Sequence, residues 1–251
     1  LLSVILLFSS SVSLRNILIF FSIQFIYMKN KISNIKVCAF DAYGTCFDIN
    51  SAAKLIKNKI GKSWLEFSNT WRTTQLEYTW LRSLMRNHKD FWEITKNSLD
   101  YAMKKHAIKT KYRNELLQLY KKLEVYPDLK NTLEYLRNKK IKCCILSNGT
   151  PKLLKQLTKN AKIGNLFDSL ISIEEVKIYK PDPKVYNLVT KKYSCKPKQV
   201  CFLSSNSWDI VGSRSYGFQS IWVNRSNNNF DNLDFKPKKT IRDLKELTNL
   251  L

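Results

Sequence analysis

The sequence predicts an α/β fold, a doubly wound parallel sheet into which a helical cap subdomain is inserted. Two observations carry this reading. After Tyr126, short apolar runs and amphipathic stretches alternate, as in strands joined by crossover helices. Before it, a single apolar run is set apart from the others by a block of helical character over 51–122.

Taken in order, residues 36–41 (Lys-Val-Cys-Ala-Phe-Asp) are an apolar run ending in Asp41, followed by the turn-prone Ala42-Tyr43-Gly44-Thr45. A buried parallel strand with a loop at its carboxyl end has this form. Within 51–122, Trp64, Phe67, Trp71, Leu76, Trp80, Leu84 and Met85 recur at steps of three to five, building apolar helical stripes. Further stripes follow at Phe91, Ile94, Leu99 and Met103, and at Leu116, Leu119, Tyr120 and Leu123. From Tyr126 the units are a helix opened by Pro127 and Asp128, a strand in 141–150, a helix over 151–163 and a short strand in 167–175. A helix over 182–193, a strand in 198–206, a helix over 209–217 and a last strand over 218–224 complete the series, giving a Rossmann-like core. The expected division is an α/β core of 28–50 and 123–251, a cap of 51–122, and an apolar extension, 1–27, outside the fold.

Composition narrows the function. The chain of 251 residues is 44% hydrophobic and 12% aromatic, enough to bury a core, which excludes a disordered chain. Its net charge of +23 raises the question of nucleic acid, but the lysines are spread through the chain, without an arginine-rich tail or aromatic-interleaved motif. A solvated basic surface is expected, and no nucleic-acid partner. Six cysteines form no Cys-x-x-Cys pair and are accompanied only by His88 and His106, so no zinc site is expected. Buried free thiols fit a reducing cytoplasm. Residues 1–27 are long and apolar enough for a span but are interrupted by Arg15. Met28 is the expected start, with a membrane anchor as the alternative.

Ligands of doubly wound sheets bind outside the carboxyl ends of the strands. Asp41, Ser147 and the segment Ser204–Asp209 all fall at such ends. Singly, each motif has an ordinary explanation. Asp41 suits a cap, Ser147-Asn148-Gly149-Thr150 a turn, and Lys180-Pro181-Asp182-Pro183 a rigid loop with Asp182 as helix cap. Their succession on consecutive units is more telling.

That succession resembles the haloacid dehalogenase superfamily. Within it, the helix run from Trp71-Arg72 to Leu84-Met85, with Asp41-Ala42-Tyr43-Gly44-Thr45 and Ser204-Ser205-Asn206-Ser207-Trp208-Asp209, looks like the L-2-haloacid dehalogenases over roughly 35–246. The superfamily's phosphatases carry a second aspartate two positions after the nucleophile and extra carboxylates for Mg²⁺ in the last motif. Here those places hold Tyr43 and a single Asp209. The resemblance therefore implies metal-independent, cofactor-free hydrolysis of a small 2-haloalkanoic acid, with a homodimer expected. A phosphatase on the same fold is the alternative, and a non-catalytic basic protein associated with nucleic acid or membrane the second.

The resemblance also implies roles. Asp41 is the nucleophile, Lys180 its counter-ion, Arg72 the halide cation, Asn206 an aid in holding the halide or in orienting water, and Asp209 the base for water. Thr45, Ser204 and Tyr186 support these groups; for Tyr186, packing on the sheet is the other reading. The substrate carboxylate is expected on Ser147 and the backbone of Asn148, Ala42 and Tyr43, with Tyr43, Leu76, Phe91 and Trp208 as an apolar wall. Thr73 departs from the family pattern, which has glutamine there.

Overall fold

Strand β1, Val37–Phe40, has all its residues buried, and it lies beside the point where the chain reverses the direction in which it lays down its sheet. The computed structural model describes residues 32–251 together with Ile19. The rest of the apolar extension of 1–27, and with it the anchor alternative and the Met28 start, lies outside the described residues. After β1 come the helices α1 (Ser51–Leu55), α2 (Lys57–Ile60), α3 (Trp64–Leu84), α4 (Phe91–Lys105) and α5 (Arg113–Tyr120). The alternating half follows: α6 (Leu129–Asn138), β2 (Lys142–Ser147), α7 (Pro151–Asn160) and β3 (Ser169–Ser172). Then come α8 (Pro183–Tyr193), β4 (Val200–Ser204), α9 (Ser207–Ser215), β5 (Gln219–Val223) and β6 (Lys239–Ile241).

Every strand pair is parallel, in the order β3-β2-β1-β4-β5-β6. The chain builds outward from β1 through β2 to β3, then restarts at β4 on the other side of β1. The β1/β4 junction is thus the topological switch point, where the diverging crossovers leave a crevice. Register places the ends together: Phe40 pairs with Ile145 on one side and Leu203 on the other. Cys38, Cys143, Cys144 and Cys201 lie buried in these strands, and the cysteines are free thiols.

Local chemistry sets several boundaries. The Asp90 carboxylate accepts from Glu93 N at the start of α4 (2.9 Å), and Thr150 Oγ1 does the same for Leu153 N ahead of Pro151 in α7 (3.3 Å). Asp182 caps α8 as expected, accepting from Lys184 N at 2.8 Å. Asp128 does not cap α6 with its side chain. Its carboxylate instead holds Arg225 in a two-pronged pair (2.8 and 3.2 Å) and accepts from Leu244 N, because a buried acid gains more from a guanidinium than from one amide.

The structure differs from the sequence reading in two further respects. Edge strand β6 was not foreseen; three residues after Pro237 show no alternation to read. In α3 the stripe buries Phe67, Trp71 and Leu76 but runs out into solvent at Leu84 and at Met85 beyond the helix, 80% and 59% exposed. Among the described residues no helix is long and apolar enough to cross a membrane.

Candidate active site

Asp41 is the first residue beyond β1, and its amide donates to Leu203 O of β4 at 2.9 Å, so the ladder fixes its backbone one step past the strand. The residue is 5% exposed. Its carboxylate is held by three donors: Lys180 Nζ on Oδ1 at 3.0 Å, and Thr45 Oγ1 and Asn206 Nδ2 on Oδ2 at 3.1 and 2.9 Å. Oδ1, with one partner, keeps more of its acceptor capacity than Oδ2.

Lys180 enters from the loop ahead of α8, its amide donating to Asn148 Oδ1 (3.2 Å). The ammonium is only 1% exposed and bridges Asp41 to Asp209, whose Oδ2 accepts from it at 2.8 Å. Burial alone would pull the Lys180 ammonium down, but Asp209 and Asp41 outweigh it and the net shift is upward. Asp209, on the first turn of α9, also accepts from Tyr186 Oη at 2.8 Å and Ser204 Oγ at 3.2 Å. Burial and the nearby Asp41, opposed by Lys180, push its carboxyl up to about 6. Burial also drives the Tyr186 phenol upward, so it remains a donor to Asp209.

Two glycines permit this closeness. A Cβ at Gly212, one turn after Asp209, would lie 2.5 Å from both Pro181 Cβ and Tyr186 Oη, so α9 approaches the lysine loop and α8 only because that side chain is absent. A Cβ at Gly149 would meet Tyr43 Oη at 2.7 Å.

From α3, Arg72 reaches across to the strand ends. Its Nη2 lies 3.4 Å from Asn206 Oδ1 and 3.5 Å from Tyr43 O, both long bonds, while Nη1 donates to Gln75 Oε1 at 2.9 Å. Thr45 Oγ1 accepts from Ser205 N (2.8 Å) and Ser204 Oγ from Asn206 N (3.1 Å), so the two loops brace one another. The structure therefore unites Asp41, Thr45, Arg72, Lys180, Tyr186, Ser204, Asn206 and Asp209 in one hydrogen-bonded cluster.

The residues expected around the substrate are placed more variously. Ala42, Ser147 and Asn148 are buried at the strand ends. Ser147 Oγ accepts from Gly149 N at 3.0 Å, and no acceptor among the described residues takes its proton. Tyr43 is buried against Phe91 and Tyr120, ring centroids 5.0 and 5.8 Å away, with its hydroxyl unpartnered. Leu76 is buried one turn beyond Arg72, and half-buried Trp208 meets Trp80 edge-on at 5.6 Å. Neither is hydrogen-bonded to the carboxylates. Sequence reasoning gives Gln75 and Thr95 no role and Tyr120 only a place in an apolar stripe; the three back the guanidinium through a polar pairing that crosses three helices and leaves no periodic trace. Among the described residues no group of three or more His, Cys, Asp or Glu side chains could hold a metal ion, and the cation between Asp41 and Asp209 is a lysine.

Known proteins similar to this chain include dehalogenases. (S)-2-haloacid dehalogenase 1 of Pseudomonas sp. (strain CBS-3) is 39% identical over 220 residues, 86% of this chain and 96% of that protein. A crystal structure of a dehalogenase with an intermediate complex superposes with a TM-score of 0.86 at 36% identity, covering 88% of this chain and 98% of the other. The L-2-haloacid dehalogenase of Xanthobacter autotrophicus with chloropropionic acid covalently bound gives 0.80 at 30% identity, over 86% and 98%. The model of the haloacid dehalogenase-like hydrolases matches residues 35–217, a span that takes in every strand end on which the buried cluster stands, and the chain belongs to that family.

Proposed function

We propose that this chain hydrolyses (S)-2-haloalkanoic acids to (R)-2-hydroxyalkanoic acids through an ester of Asp41. The observation that carries the reading is the Asp41 carboxylate itself, immobilised at the switch point by Lys180, Thr45 and Asn206 with an arginine reaching over it. The similarity to (S)-2-haloacid dehalogenases supports the substrate class.

In the first step an Asp41 oxygen, Oδ1 by its freer lone pairs, forms a bond to C2 from the face opposite the halogen. The C–X bond breaks, its electrons leave with the halide, and C2 inverts. Arg72 meets the developing halide, with Asn206 Oδ1 within 3.4 Å of its Nη2; a guanidinium keeps its charge in such a dry setting. The substrate carboxylate is assigned to the unused Ser147 proton and to backbone N–H groups of the loops after β1 and β2. Tyr43, Leu76, Phe91 and Trp208 surround the alkyl part. In the second step water adds to Asp41 Cγ and Asp209 takes one of its protons; the bond between Cγ and the oxygen borne by C2 breaks, that oxygen leaves as the product hydroxyl with the proton Asp209 returns, and the acid proton left on Asp41 goes to solvent. The product departs with an oxygen from Asp41, and Asp41 retains one from water.

The helices of 51–122 act in this reading as a cap over a core of 28–50 and 123–251. Exposed Leu81, Leu84 and Met85 supply an apolar face for a homodimer, and the free cysteines support a cytoplasmic setting. A Mg²⁺-dependent phosphatase is less well supported. The divalent cation would need several oxygen anions, whereas Tyr43 stands two residues after Asp41 and Lys180 already neutralises the carboxylates.

The test is a single turnover of (S)-2-chloropropionate in ¹⁸O-water with enzyme in excess. Mass spectrometry should find the label in the peptide containing Asp41 and unlabelled (R)-lactate. Label in the lactate alone would refute the ester.

A second expectation concerns pH. Asp209 must be ionised to accept the water proton, and burial lifts it to about 6 in the resting site. In the ester the Asp41 charge is gone and one cause of that lift is removed. Breakdown of the trapped ester should therefore slow about tenfold per pH unit below a midpoint at or under 6. The stability contribution has the opposite sense. A carboxyl raised above its ordinary 3.8 favours the folded state below that value and loses the contribution as pH rises through 6. Rapid-quench measurement of ester breakdown from about pH 3 to pH 8 checks this, and a lifetime unchanged across that whole range would remove Asp209 from the role of base.

A further inference from the structure

We propose that Gln75 is a positioning residue that aims the Arg72 guanidinium at the departing halide while leaving its charge undiminished; this rests on the dehalogenase reading above. Gln75 lies one turn beyond Arg72 on α3 and is 1% exposed. Its Oε1 accepts from Arg72 Nη1 at 2.9 Å, the shortest bond the guanidinium makes. Its Nε2 donates to Thr95 Oγ1 of α4 at 2.7 Å and to Tyr120 Oη of α5 at 3.0 Å.

The orientation of the amide follows from proton counting. Thr95 spends its only hydroxyl proton on Phe91 O (2.7 Å), so toward Gln75 it can only accept. The amide atom facing Thr95 must be nitrogen, which leaves the oxygen facing Arg72. The cleft that Arg72 borders together with Trp71, Gln75 and Tyr120 offers about 10 Å³, at the lower limit for one water. Solvent is thus a poor replacement for the Gln75 oxygen.

The consequence is specific to a neutral acceptor. One short bond at Nη1 fixes the plane of the guanidinium from behind. Nη2 has only long contacts to Tyr43 O and Asn206 Oδ1, and Nε is buried without a partner, so the site-facing side retains donors for a ligand. A carboxylate at position 75 would reach equally far but would neutralise the cation before the halide did.

The experiment compares single-turnover halide release from (S)-2-chloropropionate and (S)-2-bromopropionate by the wild-type chain, Gln75→Glu, Thr95→Val and Arg72→Lys. Chloride, the poorer leaving group, depends more on the cation. We expect Gln75→Glu to slow chloride release at least ~10-fold and bromide release several-fold less. Thr95→Val, which frees the amide to turn, should shift the ratio the same way by a smaller factor and guards against a Gln75 variant that does not fold. A merely structural role would slow both halides by one common factor. That result, or no change in folded Gln75→Glu, overturns the proposal. Should the Arg72 variant alter the halide ratio while both others leave it untouched, only this inference fails. Absence of halide release by the wild-type chain overturns the dehalogenase reading and this inference with it.

Discussion

Asp41→Asn is expected to lower halide release about ten-thousandfold or more while leaving a folded protein. The substitution keeps the shape and removes the electron pair that would bond to carbon. Nothing else in the cluster is placed to take over: the other carboxylate, Asp209, is set apart from Asp41 by the Lys180 ammonium that bridges the two. Folding should survive because the wild-type cluster holds two carboxylates against one ammonium. Neutralising Asp41 relieves its repulsion of Asp209, one of the causes that lift the latter's pKa. If the new amide nitrogen takes the Oδ2 place, Thr45 Oγ1 and Asn206 Nδ2 lose that acceptor, and Asn206 Nδ2 keeps Tyr43 O at 3.2 Å. The unfolding free energy should therefore stay within about 2 kcal/mol of wild type. Halide release measured beside urea unfolding separates the two effects; an Asn variant with appreciable turnover would refute a covalent role for Asp41.

How far such a site can be read from sequence depends on which interactions have a period. Strands buried on both faces announce themselves as apolar runs, and the runs ending at Phe40, Ser147 and Ser204 placed their polar successors at one sheet edge. That geometry came from patterning alone. The identity of the partners did not: Lys180, Tyr186 and Arg72 are separated from Asp41 by long stretches of chain, and only the resemblance to known dehalogenases selected them from the other lysines, tyrosines and arginines. Gln75 lay inside the quoted helix run without a role, and Tyr120 was counted as one more apolar stripe residue. Tyr120 is buried as that stripe implies, but the polar contacts of both residues were missed for the same reason. A buried polar contact is specified by two elements at once, and no spacing within one helix encodes it. Asp128 shows the converse, since a position that suits a helix cap was claimed by Arg225 from the far end of the chain.

Lys180→Met should damage both stability and turnover, and with a pH dependence that identifies the cause. The ammonium makes ion pairs of 3.0 and 2.8 Å to two buried carboxylates and lies 5.0 Å from the Phe202 ring centroid. Methionine preserves the apolar stem and removes the ammonium, its charge together with the hydrogen bonds it donates to Asp41 and Asp209. Two carboxylates then face each other without a counter-ion, a situation that typically costs about 3–5 kcal/mol unless one takes up a proton. Their folded pKa values must rise above the unfolded ones. The folded state consequently gains relative to wild type as pH falls, and the deficit grows as pH rises through those raised values. Urea unfolding should show a deficit of about 3–5 kcal/mol at pH 8 that shrinks markedly at pH 5. Turnover should drop by at least about a thousandfold at neutral pH, because a shared proton disables either the nucleophile or the base, and the loss should ease as the pH is raised. Equal destabilisation at both pH values would mean that the stem, not the ammonium, holds the site together. Near-normal turnover at neutral pH would mean that Asp41 stays reactive without its counter-ion.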